Sequence, residues 1–98
     1  MNELVIMHDQ RAVTSSLRVA EVFGKQHKDV LETVKNLVAE NSAAKFFAEG
    51  TYKNRGKEYP LYFMNRDGFS LLAMGFTGKE ALKFKIQYIQ AFDSMEAT

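Results

Sequence analysis

Seven polar residues of this sequence have the chemistry to hold or read a nucleic acid: Lys25, Lys28, Lys35 and Asn36 in one stretch, and Lys53, Arg55 and Lys57 in another. Lysines offer point charges to phosphate oxygens. Asn36 has the paired donor and acceptor that match an adenine edge, and an arginine on a flexible tip can enter a minor groove. Lys53, Arg55 and Lys57 lie within five residues with no acid among them, so their potentials add. If all six Lys/Arg met phosphate, an apparent salt slope of about five would follow, at roughly 0.9 per contact. The competing reading for each is a solvated surface charge, above all for Lys35.

Catalytic and metal chemistry find little footing. His27 projects near the inner, apolar side of a helix start, where a histidine caps or packs. Ser15, His27 and Asp29 contain the residue types of a triad, but nothing in the spacing brings them together. A helical cap accounts for Ser15 better. Two histidines, His8 and His27, and no cysteine give no metal-ligand spacing. Asp67-Gly68 is a turn or helix start rather than a calcium loop. Gly75 and Gly78 bracket a corner between helices, with no preceding strand to make a phosphate loop. The expectation is a protein without catalysis, cofactor or metal.

The chain that must position the seven residues has 98 residues, 46% of them hydrophobic and 12% aromatic, enough for one ordered domain over 1–98 with a core over about 4–95. Its net charge of +1 does not by itself announce a nucleic-acid binder. Residues 1–50 hold six Lys/Arg against seven Asp/Glu, and residues 51–98 hold seven against five. Any affinity for DNA must therefore come from local placement of charge. The absence of cysteine excludes disulfides and thiolate sites. The first apolar run, Leu4 to Met7, is too short for a signal peptide, and no segment approaches a membrane span. A soluble, cytoplasmic protein is expected.

Residues 14–38, TSSLRVAEVFGKQHKDVLETVKNLV, organise the rest. Val19, Ala20 and Phe23 share one face of a first helix, with Thr14 or Ser15 as its N-cap. Gly24 can take the left-handed backbone that ends it. Val30, Leu31, Val34, Leu37 and Val38 recur at helical spacing on a second helix, whose other face carries Lys28, Asp29, Glu32, Lys35 and Asn36. Ala20, Gly24 and Val30 have the spacing of a helix-turn-helix, although an ordinary helical hairpin satisfies it too.

Before this unit, Leu4–His8 and Ala12–Thr14 read as two short strands around Asp9-Gln10-Arg11. After it, one more helical turn over Ser42–Phe46 leads to a β-hairpin around Asn54-Arg55-Gly56-Lys57. Pro60 marks its strand as an edge or a bulge. Asn65-Arg66-Asp67-Gly68 opens a short helix, and Thr77 with Glu80 forms a capping box for a last helix running to about Met95. The apolar residues of that helix cover more than one stripe, and the surplus either completes the core or faces a partner. The class is α+β: a strand pair, two helices, a hairpin wing and two C-terminal helices, in a winged helix-turn-helix-like plan.

Two separated segments then resemble a known family. Thr14 to Lys25 with His27-Lys28-Asp29-Val30-Leu31 resembles the front signature of the phage regulatory protein Rha family. Tyr62 to Phe69, followed by Leu72-Ala73-Met74-Gly75-Phe76-Thr77-Gly78-Lys79, resembles the back signature, and Lys85, Tyr88-Ile89 and Ala91-Phe92 continue it. The resemblance implies a phage or prophage regulator inside a bacterial host, of a transcriptional or antirepressor-like kind, often with a further domain after this one. Glu32 departs from it, standing where a basic residue is expected after the Val-Leu pair. With Asp29 it puts acid on the face that would enter the groove.

Two functions compete. In the first, a homodimer binds double-stranded DNA through the helix pair and the wing. In the second, the domain binds a repressor or another regulatory protein through the aromatic surface of the last helix, around Phe84, Tyr88 and Phe92.

Overall fold

The computed structural model of the protein describes residues 4–97, so residues 1–3 and 98 of the expected unit lie outside it. Strands β1 (Ile6–His8) and β2 (Arg11–Ser15) form a hairpin. Its two turn residues, Asp9 and Gln10, are both left-handed, with φ 51° and 65°. Helices α1 (Ser16–Phe23), α2 (His27–Val38) and the single turn α3 (Asn41–Ala44) follow. The second hairpin pairs β3 (Phe47–Asn54) with β4 (Lys57–Met64), and α4 (Arg66–Ala73) and α5 (Lys79–Glu96) complete the chain. The α+β class and the order of elements are as the sequence indicates.

The two hairpins also join each other, which local pattern did not indicate. Thr14 pairs with Met64 and Ser15 with Phe63, giving one antiparallel sheet in the order β1-β2-β4-β3. Pairing of β3 with β4 is continuous from Phe47↔Met64 to Asn54↔Lys57, so Pro60 sits in no bulge. Because β2 pairs β4 only at Phe63 and Met64, the outer side of β4 is a free edge at Pro60, where its missing N–H costs nothing.

Above the sheet, Val19 and Ala20 of α1, Val30 and Val34 of α2, Phe69 and Leu72 of α4, and Tyr88 and Phe92 of α5 form one buried cluster with Val5 and Met64. Burying a side chain of this size contributes about 1.5–3 kcal/mol. Phe23 links the helices, with ring centroids 4.7 Å from Phe76, 5.6 Å from Phe84 and 6.1 Å from Tyr88. Gly68 lets the start of α4 approach the turn before β3. A Cβ there would stand 2.9 Å from the Phe46 carbonyl oxygen and 3.0 Å from the Met64 Cβ.

Two helix starts separate in outcome. Asn65 caps α4, its side chain accepting from the Gly68 amide at 2.9 Å. The Thr77–Glu80 capping box does not form: α5 begins one residue later, on Gly78, whose φ of 101° and ψ of 171° suit glycine, and no side chain caps it. Thr77 lies outside the N-cap position, so its hydroxyl cannot serve the first amides.

Candidate nucleic-acid interface

The turn between α1 and α2 is three residues long. Gly24 takes φ 68° and ψ 35°, and the amides of Gly24 and Lys25 both donate to the Ala20 carbonyl. This is the left-handed helix stop that the Ala20–Gly24 spacing implies. α2 then starts at His27 with no side-chain cap, so His27 is not a capping residue. It is a packing and hydrogen-bonding one.

Three consecutive hydroxyls separate the jobs that hold this region. Thr14 Oγ1 lies 3.1 Å from the Tyr88 hydroxyl in the core. Ser15 is the N-cap of α1, accepting from the Arg18 amide at 3.1 Å. Ser16, fully buried, accepts from the Tyr62 amide at 3.0 Å, and its Oγ lies 2.8 Å from His27 Nε2. Burial lowers the His27 pKa against a smaller opposing pull from Glu21, which favours the neutral ring in this hydrogen bond. The face of α1, the start of α2 and the free edge of β4 thus meet at one oxygen. Ser16 was not singled out from sequence, although a run of three hydroxyls before a helix that needs one cap was the available signal. The pairing also disposes of a Ser15–His27–Asp29 triad: His27 is bonded to Ser16, and Ser15 is engaged in its cap.

His27 carries the contact onward. Its ring meets the edge of Tyr52, centroids 5.8 Å apart, and Tyr52 stacks on Tyr59 at 5.6 Å. The N-terminal end of α2 is therefore seated against the middle of the β3–β4 hairpin. Lys28 follows His27 on α2, and Lys53 follows Tyr52 on β3, where successive side chains alternate between faces, so Lys53 is carried on the face of the hairpin away from His27. Lys35 and Asn36 lie about 10–12 Å further along α2 at 1.5 Å per residue. Arg55 forms the hairpin tip about 10 Å beyond Tyr52. All of these side chains, with Lys57, are exposed, and among the described residues none of the four lysines or Arg55 is in an ion pair.

Three features modify the charge of this surface. Strand register sets Glu58, the residue after Lys57, opposite Lys53, so an acid flanks the wing cations. Asp29 and Glu32 are exposed on α2 beside the cations. Lys25 is directed elsewhere, its Nζ 5.6 Å over the Phe76 ring at the corner between α4 and α5. A second surface, with Arg11 and Lys45 beside Asp9, comes from residues far apart in sequence. His8, stacked on Phe63 at 4.4 Å, lines with Arg11, Lys45, Phe46 and Asn65 a groove of about 340 Å³. No sequence signal joins Arg11 to Lys45.

On the last helix, Tyr88 and Phe92 are fully buried and Phe84 is half-buried. The aromatic surface expected for a protein partner is thus core. Exposed in its place are Leu82, Ile86 and Ile89.

This is an α+β domain in which a helix–glycine turn–helix unit rests on a hairpin with a cationic tip. The chain belongs to the family of phage regulatory protein Rha, which it matches over residues 14–97. It is 40% identical over 97 residues to an uncharacterized protein of Haemophilus influenzae, covering 94% of this chain and 56% of that protein. It is 35% identical to an uncharacterized 22.8 kDa protein of Salmonella phage P22, covering 99% and 56%. A third relative, 34% identical and covering 94% and 39%, is the SPbeta prophage-derived protein YoqD of Bacillus subtilis, by its description a candidate antirepressor. The chain thus spans about half the length, or less, of these relatives. No solved structure matches it. No helix among the described residues is long and apolar enough to cross a membrane.

Proposed function

We propose that this domain is a non-enzymatic phage regulator module that binds double-stranded DNA in the bacterial cytoplasm. The start of α2 presents Lys28 to the duplex, with Lys35 and Asn36 further along it, and the hairpin lays Lys53, Arg55 and Lys57 along the backbone or into a minor groove. The lysines position the domain on phosphates, while Asn36 and Arg55 are the side chains able to read bases.

The observation that carries the reading is Arg55. It occupies the first left-handed position of a two-residue hairpin turn, φ 55°, ahead of Gly56 at φ 79°. Asn or Asp suits that position, and an arginine there costs stability of about 1 kcal/mol. A long cation held at an unfavourable tip, clear of ion pairs and flanked by Lys53 and Lys57, fits a phosphate or minor-groove contact better than a fold requirement.

Fluorescence anisotropy on DNA from the phage's own regulatory region and on a scrambled duplex, across a salt series, tests it. With Lys25 engaged by Phe76, five cations remain and the expected slope of log K on log salt is about −4.5. Arg55→Ala should weaken binding and flatten the slope by about one. Lys25→Ala should change neither. Equal binding to both duplexes would make the domain a backbone binder with specificity elsewhere. Absence of binding at low salt would overturn the proposal in favour of a protein-interaction module. The description of YoqD favours that second reading.

A further inference from the structure

We infer that this domain pairs with a second copy of itself through α5, the two helices lying antiparallel and crossing at Ile86. The exposed face of α5 carries the pattern. At 100° per residue, Lys79, Leu82, Ile86, Ile89 and Asp93 fall within an arc of about 80°. The three apolar side chains on it are 59%, 47% and 49% exposed. Their presence is not explained by the core, which α5 completes on another face with Ala81, Tyr88 and Phe92.

The arc reads basic, apolar, acidic from its N-terminal to its C-terminal end. Lys79, Lys83 and Lys85 outnumber Glu80 at the first end. At the other, Arg66 binds both Asp93 and Glu96, and that cluster keeps one net negative charge. Ile86 stands midway between Lys79 and Asp93. A two-fold axis through Ile86 therefore sets Ile86 against its own copy, Leu82 against the second Ile89, and Lys79 against the second Asp93. Such a face is complementary to itself, as an isologous interface requires. Parallel pairing would oppose lysine to lysine and aspartate to aspartate. Met74, 74% exposed, extends the apolar area beside Ile89 across a shallow groove of about 260 Å³ between α4 and α5. One helix face with this flank is at the low end of stable interfaces, so the dimer dissociates on dilution. The inference does not depend on DNA binding, and its test contains no DNA.

Sedimentation velocity of the domain over about a hundredfold range of concentration should show a monomer–dimer equilibrium. Ile86→Glu, on a half-exposed position, should leave the circular dichroism spectrum unchanged and raise the dimer Kd by about 100-fold or more, because it sets two carboxylates together in an apolar seam. The chain has no cysteine, so single cysteines report geometry. Ile86→Cys should form a disulfide-linked dimer on mild oxidation. Leu82→Cys should not, since an antiparallel crossing at residue 86 separates the two copies of residue 82 by about 12 Å, beyond disulfide reach. A wild type that is monomeric throughout overturns the inference. So does a dimer that survives Ile86→Glu, or a Leu82→Cys variant that links as readily as Ile86→Cys.

Discussion

The Ser16 hydroxyl holds α1, α2 and β4 through two bonds, accepting from the Tyr62 amide and sharing a hydrogen bond with His27 Nε2. Ser16→Ala removes both and leaves the amide unpartnered at a half-buried site. Urea denaturation should show a loss of about 1–3 kcal/mol, and a loss within error would show that water replaces the hydroxyl. His27 gives the same network a pH dependence. Its folded pKa lies below its ordinary value near 6.5, with burial as the main cause. The unfolded chain therefore binds more protons between the two values. The contribution of neutral His27 is fully present above the unfolded pKa and is lost as pH falls through the folded one. Thermal unfolding at pH 7.5 and pH 5 should show the wild type losing more stability on acidification than His27→Gln. An equal loss in both would assign the effect to other groups.

At the scale of elements, close approach and turn geometry decide. α4 can sit where it does because position 68 lacks a Cβ. Gly68→Ala gains helix propensity but drives a methyl onto the Phe46 carbonyl, and the net effect should be a destabilisation of about 1–3 kcal/mol. A gain in stability would show that α4 shifts freely. The β3–β4 hairpin presents the opposite case, a residue that costs the fold. Arg55→Asn suits the left-handed turn position and should stabilise the domain by about 0.5–1 kcal/mol, while DNA affinity falls. If stability and affinity both fall, Arg55 serves the turn itself. Element types were legible because period and punctuation are local: the Ala20–Gly24–Val30 spacing and the Asn-Arg-Gly tip each act within a few residues. The start of α5 was misplaced because Gly78 and Thr77 compete for one cap position, and backbone geometry awarded it to glycine.

Across the whole molecule, the N-terminal hairpin is tied to the last helix by the buried bond between Thr14 and Tyr88, 74 residues apart. Burial raises the Tyr88 pKa to about 12, the Thr14 bond opposing it, so both hydroxyls are neutral partners at ordinary pH. Thr14→Val and Tyr88→Phe should each cost about 1–2 kcal/mol by leaving one hydroxyl unsatisfied. The double variant removes both polar groups and should cost less than the sum of the two. Additive losses would mean that the groups do not act as a pair. The same scale governs charge. A net charge of +1 gives little long-range steering, so the proposed binding to DNA rests on which cations share a surface. The fold sends Lys25 to Phe76 and sets Glu58 opposite Lys53 on the wing.

Sequence alone determined the class, the order of elements, the helix–glycine turn–helix unit, the basic hairpin tip and the family, because each rests on local periodicity or on contiguous motifs. Tertiary structure decided the rest. Joining β2 to β4 needed a pairing between residues 50 apart. The partner of His27 turned out to be Ser16, since three adjacent hydroxyls point in three directions once a helix begins at residue 16. The aromatic side chains of α5 became core and its aliphatic ones became surface, because two apolar stripes on one helix are equivalent until neighbouring helices bury one of them.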